Sequence, residues 1–281
     1  MNKRFVILAA VAALAIAANY ALRYAPPDFD AVQPPAPAPA PIVTEPVAAP
    51  APDLVPVSDR SSRPTTRDEF FVLAVNWQPA FCEIRPDTAE CRTQSRGRFD
   101  ASNFTLHGLW PREEYCGVSA RIEETDRSGR WSALPEIELS PARKRQLDEA
   151  MPGTRSQLER HEWFKHGTCY DGDAETYYGA ALDLLEQFND TAVRDLFAQN
   201  IGKRLTQKQV RAAVDTAFGK GAGERVRLAC EEDGNRTLIS ELTIGLWGVI
   251  GPDPDLRQLL MAARPSGGGC KGGIVDAVGL Q

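Results

Sequence analysis

Hydrophobic and polar positions divide the chain into three stretches. An unbroken apolar run from Phe5 to Ala18 follows Lys3 and Arg4 and stops at Asn19, Tyr20 and Arg23. From Ala25 to about Thr66 the apolar periodicity is lost: Gln33-Pro34-Pro35 leads into alternating Ala and Pro up to Pro41, with Pro46, Pro50, Pro52 and Pro56 beyond. Such a segment buries no core, and its prolines hold it extended. Patterned sequence begins near Asp68. The dense apolar run Phe70 to Trp77 predicts a buried strand, and Phe104-Thr105-Leu106 a shorter one. Ser140 before Pro141 is a helix start, with the helix expected to end near Met151, before Pro152-Gly153. A second helix is expected over Arg155 to His166, stopped by Gly167. Helical spacing recurs in Tyr177, Tyr178, Ala181, Leu184, Leu185 and Phe188, predicting a helix over Ala174 to Asn189. Thr206 and Gln209 form a capping box for a helix reaching about Phe218. Val226, Leu228 and Cys230 alternate, as do Leu242, Ile244 and Leu246, with a hairpin turn at Asp233-Gly234 between them. Helices and strands do not alternate regularly. The expected fold is therefore α+β, a mainly antiparallel central sheet packed with several helices.

Composition changes this picture in two ways. The formal net charge is −6 over 281 residues, so the chain lacks the basic balance of a nonspecific nucleic-acid binder. Any attraction to nucleic acid must be local to a cleft. The apolar N-terminal run is also shorter than the roughly 20 residues of a membrane span. Residues 1–24 read as an export signal, with small residues at Ala15, Ala17, Ala18 and Ala21 for cleavage, or alternatively as an uncleaved anchor. Residues 25–67 are then a linker and 68–281 one folded domain. Export implies an oxidising compartment, periplasmic or extracellular, where Cys82, Cys91, Cys116, Cys169, Cys230 and Cys270 form disulfides that staple the fold. No two of them have the CxxC spacing of a zinc ribbon.

The candidate chemistry lies in three histidines in two compact segments. These are Phe104-Thr105-Leu106-His107-Gly108-Leu109-Trp110-Pro111 and His161-Glu162-Trp163-Phe164-Lys165-His166-Gly167-Thr168-Cys169. Imidazole is the side chain best suited to carry protons near neutral pH. One neutral ring and one charged ring take a proton from one atom and give one to another. His161-Glu162 begins like the zinc-protease motif H-E-x-x-H, but the second ligand position holds Lys165. The next histidine lies five residues on, roughly 140° around an ideal helix. Glu162 and His166 share one helix face, and His161 and Lys165 the adjacent one. Histidine, lysine and glutamate without a metal suit a phosphoryl group, whose developing negative charge lysine stabilises. An exposed Trp110 beside His107 would offer a stacking platform for a base.

The two segments, with Phe71-Val72-Leu73-Ala74-Val75-Asn76-Trp77-Gln78-Pro79-Ala80-Phe81-Cys82, resemble the active-site motifs and opening strand of the ribonuclease T2 family. The resemblance covers about Asp68 to the C-terminus and makes 68–281 a ribonuclease domain. It implies a secreted endoribonuclease that cleaves single-stranded RNA to a 2′,3′-cyclic phosphate and then a 3′-phosphate, with no metal or other cofactor. It implies His166 as general base, His107 as general acid, His161 on the phosphate, and Lys165 and Glu162 stabilising the phosphorus centre. The residues alone do not say which of His107 and His166 is acid and which is base. Trp110 would stack on a base. Asn76 stands where family members often carry a base-contacting glutamine, so their base preference does not transfer. The resemblance also implies the pairs Cys116–Cys169, Cys230–Cys270 and Cys82–Cys91. RNA is the expected partner of a monomer with no obligate protein partner and at most an N-terminal membrane tether. A zinc-dependent hydrolase and a non-catalytic exported nucleic-acid-binding protein are the alternatives.

Overall fold

The computed structural model describes residues 69–281. The leader at 1–24, any tether it provides, the linker at 25–67 and the expected first domain residue, Asp68, lie outside the described residues. Strand β1 (Glu69–Asn76) is antiparallel between β2 (Thr105–Pro111) and β5 (Arg236–Gly248). β5 turns back through Gly234, at φ 58°, onto β4 (Val226–Asp233). At Leu238 it also meets β6 (Gly272–Ile274) in parallel, and β6 pairs with β3 (Arg204–Thr206). The helices are α1 (Gln78–Ile84), α2 (Ala120–Arg127), α3 (Pro141–Ala150), α4 (Leu158–Lys165), α5 (Ala174–Asn189), α6 (Ala192–Gln199), α7 (Gln207–Phe218) and α8 (Leu256–Ala262). The architecture is α+β with a mainly antiparallel sheet.

Local chemistry explains the main boundaries. Ser140 accepts a hydrogen bond from the Arg143 amide and caps α3, with Pro141 in its first turn. The Thr206–Gln209 capping box is complete at α7. One expectation shifts. The helix predicted from Arg155 begins at Leu158, because Pro152–Ser156 forms a 3-10 turn and Gln157 turns left-handed at φ 61°. Strand β2 also runs further than its apolar start predicts. It continues through His107 and Trp110 to Pro111, because that stretch finds a pairing edge on β1 from Phe71 to Ala74.

Helix α5 lays Tyr177, Ala181, Leu184, Leu185 and Phe188 in the core, all buried. Trp77, Phe104, Phe188 and Phe197 close it as an aromatic cluster with ring centroids 4.7–5.5 Å apart. Tyr177 donates its hydroxyl to the Leu109 carbonyl at 2.9 Å, fixing β2 to α5 just beyond His107. Disulfides join Cys82 to Cys91, Cys116 to Cys169 and Cys230 to Cys270. The second ties the loop after β2 to the turn after α4, so two segments far apart in sequence are held side by side.

Candidate active site

The strand side of the site depends on a bulge. Pairing of β1 with β2 steps from Ala74–Gly108 to Val75–Leu106, which leaves His107 as the extra residue. Residues three apart on a regular strand point to opposite faces. Here the rings of His107 and Trp110 lie 5.2 Å apart, edge to face. The bulge changes the phase and brings both to the same side. Between them Gly108 leaves room: a β-carbon there would fall 1.9 Å from Glu162 Oε2. Glycine is thus required at Gly108 by close approach of the carboxylate.

The helix side comes from α4. Glu162 is buried, and its Oε2 accepts a 2.7 Å hydrogen bond from Trp110 Nε1. Its Oε1 lies 3.6 Å from His107 Nε2 and 3.8 Å from His161 Nε2. His166 is the C-cap of α4, outside the helix proper, and only 6% exposed. Its ring lies 5.5 Å from that of Trp110 and 6.4 Å from that of His161. Gly167 allows this packing, since a β-carbon there would meet Trp163 at 2.3 Å. The structure therefore gathers His107, Trp110, His161, Glu162 and His166 around one cleft. Lys165 sits at its rim, with Nζ 3.6 Å from Glu114.

Electrostatics separate these groups. Burial works against a charged His107, but the hydrogen bond to Glu241 and the charges of Glu162 and Glu241 outweigh it and raise its pKa. Burial pushes the His166 pKa down to about 3, helped by the positive charges of Lys165 and its neighbouring histidines. Its Nδ1 is buried without a hydrogen-bond partner. Burial also raises the pKa of Glu162 against the pull of His107, His161, Trp110 and Lys165.

Three residues escaped the sequence reading. Glu241 of β5 lies 2.6 Å from His107 Nδ1. Asp126 of α2 holds His161 Nδ1 at 2.8 Å and accepts the Tyr115 hydroxyl at 2.7 Å. Trp131 stacks on the His161 ring at 4.7 Å. Each lies outside the motifs, and no local pattern marks Asp126 or Trp131. Glu241 did carry a signal, as a charge immediately before the buried alternation Leu242, Ile244, Leu246. Beside His107 opens a cavity of about 300 Å³, lined by Asn76, Phe81, Trp131, Glu231 and Glu241 among others. Among the described residues, no three His, Cys, Asp or Glu side chains are arranged to hold a metal ion.

Comparison with known proteins identifies the family. The sequence profile of the Ribonuclease T2 family matches residues 68–256. Ribonuclease I of Escherichia coli (strain K12) is 30% identical over 200 residues, 63% of this chain and 74% of that protein. The intracellular ribonuclease LX of Solanum lycopersicum is 26% identical, over 62% of this chain and 72% of its own. Among solved structures, the self-incompatibility-associated SF11-RNase of Nicotiana alata aligns with 67% of this chain and 89% of its own, at 20% identity and a TM-score of 0.45. With the family profile spanning most of the folded part, the chain belongs to the ribonuclease T2 family and is an RNA-cleaving endoribonuclease.

Proposed function

We propose that this enzyme cleaves single-stranded RNA by transferring the phosphate onto the neighbouring 2′-hydroxyl. His166, neutral at every pH well above 3, takes the 2′-hydroxyl proton as the new P–O2′ bond forms. His107, whose charged form Glu241 and Glu162 favour, gives a proton to the departing 5′-oxygen as the P–O5′ bond breaks. The first product is a 2′,3′-cyclic phosphate. Water then opens it to a 3′-phosphate, with the two histidines in exchanged roles. His161, fixed by Asp126 and Trp131, binds the phosphate. Glu162 and Lys165 stabilise the crowded phosphorus centre. Every proton moves between an imidazole and the substrate or water, so no metal ion or other cofactor is called upon. Trp110 and Asn76 serve the substrate's bases, Asn76 from the wall of the cavity beside His107.

The observation that carries this reading is the Glu162 carboxylate. It lies at the centre of the two motifs, within 3.8 Å of two imidazoles and bonded to Trp110. The three disulfides and the charged-apolar N-terminus support export to the periplasm or the medium. The test is digestion of defined oligoribonucleotides with mass analysis of the ends. Cyclic phosphate should accumulate first and 3′-phosphate later, in EDTA as without it. Cleavage of 2′-O-methyl RNA at the unmodified rate would reject the mechanism.

A further inference from the structure

We infer that Glu241 is the positioning residue of the leaving-group step: its carboxylate anchors Nδ1–H of His107 and so turns Nε2–H of the same ring toward the phosphodiester. This rests on the transphosphorylation reading above. A ring nitrogen 2.6 Å from a carboxylate oxygen must carry a proton, since two lone pairs would otherwise face each other. With Nδ1 so committed, Nε2 is the atom left for the reaction. It is also the atom that faces Glu162, at 3.6 Å.

The backbone is built to bring these two side chains together. Glu241 sits on β5 with β1 on one edge, opposite Asn76, and β4 on the other, opposite Ala229. The β4–β5 pairing steps from Ala229–Glu241 to Cys230–Ile239, leaving Ser240 as an extra residue. Ile239 and Leu242, three apart, are both fully buried. The extra residue shifts the phase between them and lets Glu241 face the cavity beside His107. His107 is itself the extra residue of the β1–β2 bulge. Two irregularities, on strands separated only by β1, thus aim one side chain at the other.

The surroundings make the pairing selective. His107 faces Glu162 and Lys165 from α4 and Glu241 from β5, and the His166 ring lies across Trp110. His161 has a carboxylate behind its Nδ1 as well, from Asp126. The Nδ1 of His166 has none. Carboxylates therefore stand behind the ring that donates a proton and the ring that binds phosphate, and are missing behind the ring that accepts one. A carboxylate behind an imidazole fixes its tautomer and supports its charged form, a logic known from other acid–base sites.

The test compares wild type, Glu241→Gln and Glu241→Asp in pH profiles of kcat/KM on a dinucleotide. His107 is followed in parallel by nitrogen-15 NMR titration. In Glu241→Gln the high-pH limb should move down by about one pH unit while the low-pH limb stays in place. At neutral pH kcat should fall about tenfold with KM little changed. The His107 ring should titrate lower and lose its single tautomer. Glu241→Asp, which keeps the charge, should recover part of the limb. A role in folding alone would scale the whole profile evenly. An unmoved high-pH limb together with a wild-type His107 titration would overturn the inference. Failure of wild type to form a cyclic phosphate would instead sink the transphosphorylation reading, and the NMR titration would still report whether Glu241 governs His107.

Discussion

The strand side and the helix side of the site shift the pKa of the same ring in opposite directions. His107 rises from a bulged strand, 30% exposed, with Glu241 behind it and Glu162 in front. His166 caps a helix, 6% exposed, with cations nearby and no partner on Nδ1. Partial burial disfavours charge on both. At His107 two carboxylates overcome that penalty; at His166 nothing does. Under the proposed mechanism, the contrast teaches that acid and base are assigned by what surrounds each imidazole rather than by any property of the ring.

The largest effects should come from removing one ring at a time. His107→Ala and His166→Ala should each lose about 10³-fold in kcat on RNA. They should part on a substrate whose leaving group needs no proton, such as a nucleoside 3′-(p-nitrophenyl phosphate). There His107→Ala should recover to within about tenfold of wild type, while His166→Ala should not. Recovery of both variants alike would erase the distinction between the two sides.

The residues of this contrast were legible in the sequence, but neither its direction nor its cause. The compact motifs exposed His107, His161, Glu162, Lys165 and His166 because their side chains act within a few residues of one another. The long helices α3, α5 and α7 were legible because their caps and periodicity are local. Elements α1, α2, α6, α8, β3 and β6 were not read: each spans eight residues or fewer, and equally short elements such as β1 and β4 were read only from a dense apolar run or a regular alternation. Glu241 and Asp126 reach their histidines across 134 and 35 residues, so only the folded sheet and helices reveal these pairings. The bulge at His107 leaves no mark in residue type at all. Trp110 shows a related limit. A tryptophan beside a catalytic histidine reads as a stacking platform, yet its indole Nε1 is also tied to Glu162.

A smaller effect should sharpen the comparison on the helix side. Asp126 holds His161, the ring proposed to support the substrate rather than the proton transfers proposed for the other two. Asp126→Asn should therefore raise KM on RNA, by about tenfold, with kcat changed far less. The high-pH limb should stay where it is, unlike that of the Glu241 variant. A shift of that limb in Asp126→Asn would show that the two carboxylates are not specialised.

The smallest effects lie in stability, where the two rings should act with opposite sign. The His166 pKa is about 3 in the folded protein and returns to near 6.5 on unfolding. Between those values the unfolded chain binds a proton that the native state refuses, so stability falls as pH drops through that window. His166→Gln removes this loss. Its Tm should decline less than that of wild type between pH 6.5 and 4.5, by about 3 °C per pH unit. Asp276, raised to about 6 chiefly by burial, adds a contribution of opposite slope in the same range. That contribution is common to both proteins and cancels in their difference. His107, with its pKa raised, does the reverse: its folded form binds a proton more tightly than the unfolded chain. The stability it adds is complete below pH 6.5 and is lost as pH rises through its folded pKa. The Tm difference between wild type and His107→Gln should therefore change only above pH 6.5, and that for His166→Gln only below it. Two difference curves bending in the same pH range would mean that the two sides of the cleft do not hold their imidazoles in opposite states.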